Sequence, residues 1–277
     1  MIPVELVDYP KPWLLFQATA CLSLGYMAFA FLRKWYGWAR GMREPTAAPG
    51  DHRRPLMIWL AEVLFQRQLL TLSFSRWCIH LMIFYGFIGL ALLPAAFFIL
   101  KTAGYFALSS TFPRFSLHPE GYFIFKLWGD SFGLLLLLGL IMAGIRRLTL
   151  RTVRETSNQG DVILLGLLLS VTLSGFVLEG LRLSPMPAEI AHYSYVGRFF
   201  SPPGTYTLEQ LRPWLTACWT LHALLVFILF AYLPHSKLLH SLLAPFIIGM
   251  NAAGEHTRED IYWPEMKKYR ATRSRQG

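Results

Sequence analysis

The sequence predicts an all-α integral membrane protein: a bundle of five transmembrane helices with the N-terminus outside and the C-terminus in the cytoplasm. Three observations lead there. The first is composition. Of 277 residues, 54% are hydrophobic and 15% charged, and the mean hydropathy is +0.40. A soluble domain is nearer ~45–50% apolar and ~25% charged, so a soluble globular fold is disfavoured and a disordered chain more strongly so. The second is five apolar runs of about 20 residues, the length a helix needs to cross the hydrocarbon core. They read as helices because backbone in lipid must satisfy its own hydrogen bonds. The third is the way Lys and Arg sort between alternate loops.

The spans fall at about 12–32, 77–100, 122–145, 161–181 and 213–233. The N-terminal run does not read as a cleavable signal, because acidic Glu5 and Asp8 stand where a basic segment is needed. The stretch from Arg54 to Phe74 is apolar but carries Glu62, Arg67 and Gln68. It reads as an amphipathic helix on the inner surface. The outer loop from Arg182 to Arg212 holds Pro185, Pro187, Pro202, Pro203 and Gly204 and reads as irregular, with a short helical piece. The bundle accounts for residues 1–246, and 247–277 read as a charged cytoplasmic tail.

The formal net charge is +10. Of the 26 Lys and Arg, 19 lie in the loop from Arg33 to Arg76, in the loop with Arg146, Arg147, Arg151 and Arg154, and in the tail. The opposite side holds Lys11, Lys101, Arg114, Lys126, Arg182, Arg198 and Arg212. The positive-inside rule then sets the orientation. Basicity that in a soluble protein would suggest nucleic acid becomes an inner surface suited to a partner protein or anionic lipid.

Cys21, Cys78 and Cys218 lie in or beside apolar runs and have no metal-ligand spacing, so any redox centre needs other ligands. The histidines supply candidates. His80 lies near the cytoplasmic end of the second span and His222 in the outer half of the fifth, with His240 eighteen residues later. On an unbroken helix eighteen residues are five turns, so His222 and His240 would share a face about 27 Å apart. His80 and His240 then sit at one level on antiparallel helices, the geometry of paired axial ligands to a haem iron. The alternative is that each histidine is a hydrogen-bonded packing residue. His235, beside Pro234, reads as interfacial, and His52 and His256 as solvated.

Three segments resemble the membrane cytochrome b (gamma) subunit of respiratory nitrate reductase and its relatives. These relatives are the cytochrome b subunits of sulfate-reducer transmembrane redox complexes and the membrane subunit of heterodisulfide reductase. The segments run from Phe65 to Leu90, from Lys126 to Arg147 and from Leu221 to Phe246, the last containing Pro234, Ser236, Lys237, Leu238 and His240. The resemblance implies that His80 and His240 hold an inner haem b and that His222 is one ligand of an outer haem. It places the second outer ligand ten residues after His80, where this chain has Leu90. One haem, with His222 a relic or a quinone ligand, and two haems, with His118 or His192 as partner, both stay open. It also implies a bacterial or archaeal cytoplasmic membrane.

Among the charged residues in or at the ends of the spans, Lys126 and Asp130 lie one turn apart in the third, and Glu179 and Arg182 lie at the outer end of the fourth. They read either as local ion pairs anchoring helix ends or as a quinone pocket. In the second reading a carboxylate exchanges the quinol proton and a cation orients the carbonyl oxygen. Trp128 and Trp219 are interfacial residues first and stacking residues second. Together these features predict a b-type cytochrome, the quinone-reactive subunit of an oxidoreductase complex. The resemblance implies that it would pass electrons between membrane (mena)quinone and a cytoplasmic iron–sulfur subunit. Other membrane or periplasmic cytochrome subunits are further candidate partners. The alternative is a haem-free membrane anchor of such a complex. A transporter is disfavoured because no inverted repeat is visible.

Overall fold

The computed structural model describes residues 13–41, 60, 62–106, 119–156, 158–186, 191, 193–204, 206–239, 243–244 and 248. His118, His192 and His240 lie outside them, as do His52 and His256. Among the described residues all regular structure is helical. The elements are α1 (Trp13–Gly41), α2 (Arg67–Leu72), α3 (Phe74–Phe106), α4 (Pro119–Thr149), α5 (Arg151–Thr156), α6 (Gln159–Leu183) and α7 (Leu208–Tyr232). Two 3₁₀ turns, Gly197–Phe200 and Leu233–His235, complete them.

Among the described residues four stretches are long and apolar enough to cross a membrane: Phe74–Pro94, Ile124–Thr149, Gln159–Leu183 and Leu208–His235. They coincide with the second to fifth apolar runs, and each lies on a helix that starts earlier than expected from the sequence. The starts of α6 and α7 have local causes. Asn158 Oδ1 accepts from Asp161 N (3.1 Å) while Asp161 Oδ2 accepts from Asn158 N (3.3 Å). Thr207 and Gln210 form the same reciprocal box before α7 (3.4 and 3.0 Å). Each box satisfies two amide donors that the first helical turn leaves without partners. The first apolar run forms α1, a helix of 29 residues.

Two expectations are corrected. The inner-surface helix expected over 54–74 is not continuous where it is described. Gln66 adopts a left-handed conformation (φ 48°), α2 spans only six residues, and extended Ser73 separates it from α3. Likewise, no unbroken helix runs from His222 to His240. α7 ends at Tyr232, a 3₁₀ turn follows, and Ser236 is extended. Pro234 is the cause: it has no N–H to give to the carbonyl of Phe230, and its ring clashes there. The five-turn spacing of the two histidines therefore carries no weight as geometry.

The chain forms two compact units. The first contains Met1–Ala30 and Ser75–Ser236, the second Phe31–Phe74 and Lys237–Gly277. In the second, Val63, Leu238, Leu239 and Leu243 are buried. In the first, the long helices pack in the order α1, α7, α6, α4, α3. Ser23 Oγ on α1 donates to the Phe227 carbonyl of α7 (2.8 Å), and Phe16 packs on Trp219 and Phe227. Tyr26 hydrogen-bonds His235 Nε2 (2.8 Å), a second tie between α1 and the end of the last span. Tyr232 donates to the Gly160 carbonyl and so ties α7 to α6 (3.2 Å).

Helices α3 and α4 approach on glycines. A Cβ on Gly86 would lie 2.6 Å from the Leu136 backbone, and one on Gly139 would lie 2.9 Å from the Ile83 side chain. Small residues at such crossings let backbones come close enough for dispersion to act in lipid, where no hydrophobic force brings helices together. Trp128 completes the contact by donating from Nε1 to the Gly89 carbonyl (2.8 Å).

Candidate functional site

The start of α4, the end of α6 and the loop between α6 and α7 meet at one end of the first unit. There the structure gathers the polar residues that the spans otherwise exclude. Asp130 is 3% exposed. Its Oδ2 accepts from Ser194 Oγ (2.9 Å), from Val196 N (2.7 Å) and from Gly197 N (3.4 Å). A carboxylate buried in lipid is costly unless donors surround it, and here the loop provides them. Lys126, one turn earlier, pairs with Glu179 of α6, and both side chains are largely buried.

This arrangement corrects the expected local pairings. Asp130 is bonded to the loop rather than to Lys126, and Glu179 pairs with Lys126 rather than with Arg182. The reason is the antiparallel crossing of α4 and α6, which sets the first turns of one beside the last turns of the other. Gly133 faces Phe176 at that crossing, where a Cβ would lie 2.8 Å from the ring.

The loop is seated on α6 by two further devices. Ser201 Oγ donates to the Gly180 carbonyl (2.9 Å), and Phe200 stacks on Phe176 with ring centroids 5.4 Å apart. Gly180 is needed for the seat, since a Cβ there would lie 2.4 Å from backbone atoms of Phe200. Gly197 covers Glu179 closely enough that its own Cβ would meet Glu179 Cγ at 2.8 Å. The Lys126–Glu179 pair therefore lies under a fixed loop.

His222 lies deeper, on the face of α7 that meets α6. Its Nδ1 is 2.9 Å from Ser174 Oγ. Ser174 Oγ in turn donates to the Val171 carbonyl (3.0 Å). One turn before His222, Cys218 Sγ contacts the Ser174 carbonyl (3.7 Å). The contacts Gly89–Phe132, Gly133–Phe176 and Ser174–His222 run across α3, α4, α6 and α7 in turn. They set residue 90 within about a turn of His222 in depth. His80 lies about 15 Å further along α3 at 1.5 Å per residue, toward the end that carries Arg146 and Arg147.

Among the described residues no group of three or more His, Cys, Asp or Glu is placed to hold a metal ion. A haem iron between two imidazoles needs no such group. Nothing in the sequence marks Ser174, Ser194, Ser201 or the amides of Val196 and Gly197 as site groups. The serines carry no spacing signal, and backbone donors are invisible until the loop's path is known.

Long antiparallel apolar helices, charges sequestered under a loop and an intramembrane imidazole define the class as a polytopic α-helical membrane protein. The chain belongs to the HdrE family, named for a component of the dihydromethanophenazine:CoB--CoM heterodisulfide reductase, and the family profile matches residues 56–248. The HdrE protein of Methanosarcina acetivorans is 29% identical over 230 residues, which cover 82% of this chain and 76% of the relative. The HdrE protein of Methanosarcina mazei is 28% identical over 237 residues, 82% of this chain and 78% of its own. The EtfAB:quinone oxidoreductase of Syntrophomonas wolfei is 24% identical over 254 residues, which make up 86% of this chain but 34% of that longer protein. No solved structure matches. The chain is thus a multi-pass protein of the cytoplasmic membrane, homologous to the membrane subunit of a redox complex. Among the relatives that the sequence resembles, the matches support the heterodisulfide reductase subunit.

Proposed function

We propose that this chain is a b-type cytochrome subunit that passes electrons between a membrane quinone and a cytoplasmic iron–sulfur partner. The observation that carries the reading is His222. It is an imidazole in a membrane-spanning helix, held through Nδ1 by α6, in a chain whose family consists of membrane subunits of a redox enzyme. When bound, haem b supplies a one-electron relay across the low-dielectric bundle. His222 would be the ligand on the loop side, and the resemblance assigns the other haem to His80 and His240.

In this reading α1 is the fifth span, since 29 residues reach about 43 Å at 1.5 Å per residue. The N-terminus is then outside, the loop end faces outward, and the Arg-rich end of α4 and α5 faces the cytoplasm and the partner. The basic residues there suit an acidic docking surface.

The quinone site belongs beside the Lys126–Glu179 pair. Glu179 is a carboxylate able to take a quinol proton, and Lys126 is a cation able to orient the carbonyl oxygen. Arg182 is one turn further out. Asp130 fixes the loop that excludes water from them. The Syntrophomonas relative is named as an EtfAB:quinone oxidoreductase, which supports a quinone-class carrier.

The experiment is reduction of the purified protein by a short-chain menaquinol, followed at the haem α-band. Reduction is expected in the wild type and to be at least about 10-fold slower in Lys126→Met and Glu179→Gln that retain haem. Unchanged rates in both variants would remove the quinone site from this end.

A further inference from the structure

We propose that Ser174 is a positioning residue that sets the tautomer and ligand strength of His222. The inference rests on the reading of His222 as a haem ligand. It adds a residue on α6 to which the sequence alone gives no role.

A serine hydroxyl has one proton and can also accept. Ser174 Oγ gives that proton to the Val171 carbonyl three residues back (3.0 Å), a common bond for serine inside a helix. Toward His222 Nδ1 at 2.9 Å it can then only accept. With its proton given to Val171, Ser174 therefore calls for a proton on Nδ1. The neutral ring must carry its lone pair on Nε2, the form in which an imidazole binds a metal.

Two more contacts hold the ring in place. Cys218, one turn earlier on α7, touches the Ser174 carbonyl (3.7 Å) and so fixes the register of α7 against this turn of α6. Gly175 lets the ring lie close to α6, since a Cβ there would sit 3.3 Å from His222 Cε1. An acceptor on the second nitrogen raises the basicity of a ligating imidazole and locks its rotation. A more basic ligand favours the oxidised iron, so Ser174 should hold the potential of this haem down. The serine is thus placed to act on the relay without touching it.

The test uses Ser174→Thr and Ser174→Val in the purified full-length protein. The two side chains have nearly equal volume and differ by the hydroxyl. Optical redox titration and haem retention on dilution are measured beside wild type and His222→Ala. Thr is expected to match wild type. Val is expected to raise the midpoint potential of the haem component that His222→Ala removes, and to weaken its retention about 10-fold or more. Equal potentials and retention in Thr and Val, with that component lost in His222→Ala, would overturn the role of Ser174 and leave the haem reading intact. A full haem complement in His222→Ala would overturn both. In haem-free protein, nitrogen-15 NMR of His222 should show the proton on Nδ1, and a proton on Nε2 would overturn the inference independently of haem.

Discussion

Glu179→Gln is expected to destabilise the bundle by about 3–5 kcal/mol, the cost of leaving one charge of a buried pair without its partner. Lys126 is then a cation inside a membrane span, shielded by the loop from the water that would otherwise solvate it. Lys126→Met should cost a similar amount by stranding the carboxylate. The double variant, neutral on both sides, should recover most of the loss, because removing both charges also removes both desolvation penalties. Chemical unfolding of the four proteins in one detergent measures this as a double-mutant cycle. Additive losses would show that the two side chains do not stabilise each other, and the packing of α4 on α6 would need another explanation. The same cycle separates folding from chemistry, because the double variant should be stable yet slow with quinol.

The second large effect is expected at Gly180. Alanine there brings a Cβ to 2.4 Å from the Phe200 backbone, and a backbone cannot rotate aside as a side chain can. Overpacking of this kind costs about 1–3 kcal/mol. The loop has to lift, and the bonds anchored by it go with it: Ser201 to Gly180, and the three donors to Asp130. Limited proteolysis within residues 193–204 should therefore be faster in Gly180→Ala. Asp130→Ala should give the same phenotype from the other side of the loop, since it removes the acceptor itself. Wild-type proteolysis rates in both variants would contradict the view that Asp130 and Gly180 jointly seat this loop.

Much of the fold was legible in the sequence because hydrophobic length is a strong signal in lipid. The second to fifth apolar runs lie on α3, α4, α6 and α7. For α6 and α7, the runs fell short of the true helix starts because polar capping residues begin them. Asn158 and Asp161 extend α6, and Thr207 and Gln210 extend α7. Helix continuity was misread at Pro234, where hydropathy stays high but the backbone donor is missing. Gln66 is a similar case: nothing in an apolar stretch marks a left-handed residue.

The charged residues were found individually and paired wrongly. Lys126 with Asp130 and Glu179 with Arg182 have suitable spacing along one helix, but tertiary packing set Lys126 beside Glu179 and gave Asp130 to the loop. Spacing within a helix says nothing about a neighbour that approaches from another element. His222 stood out in the sequence as an ionisable group inside a span. The serine that orients it did not, because Ser174 becomes informative only once α6 and α7 are packed.

Whether His222 binds haem b inside this bundle is tested most directly by a dithionite-reduced minus oxidised spectrum of the purified protein. The expected result is a b-type α-band in the wild type, reduced or abolished in His222→Ala while the variant still elutes as a folded protein. A correctly folded wild-type protein with no haem spectrum, or an undiminished spectrum in His222→Ala, would contradict the account.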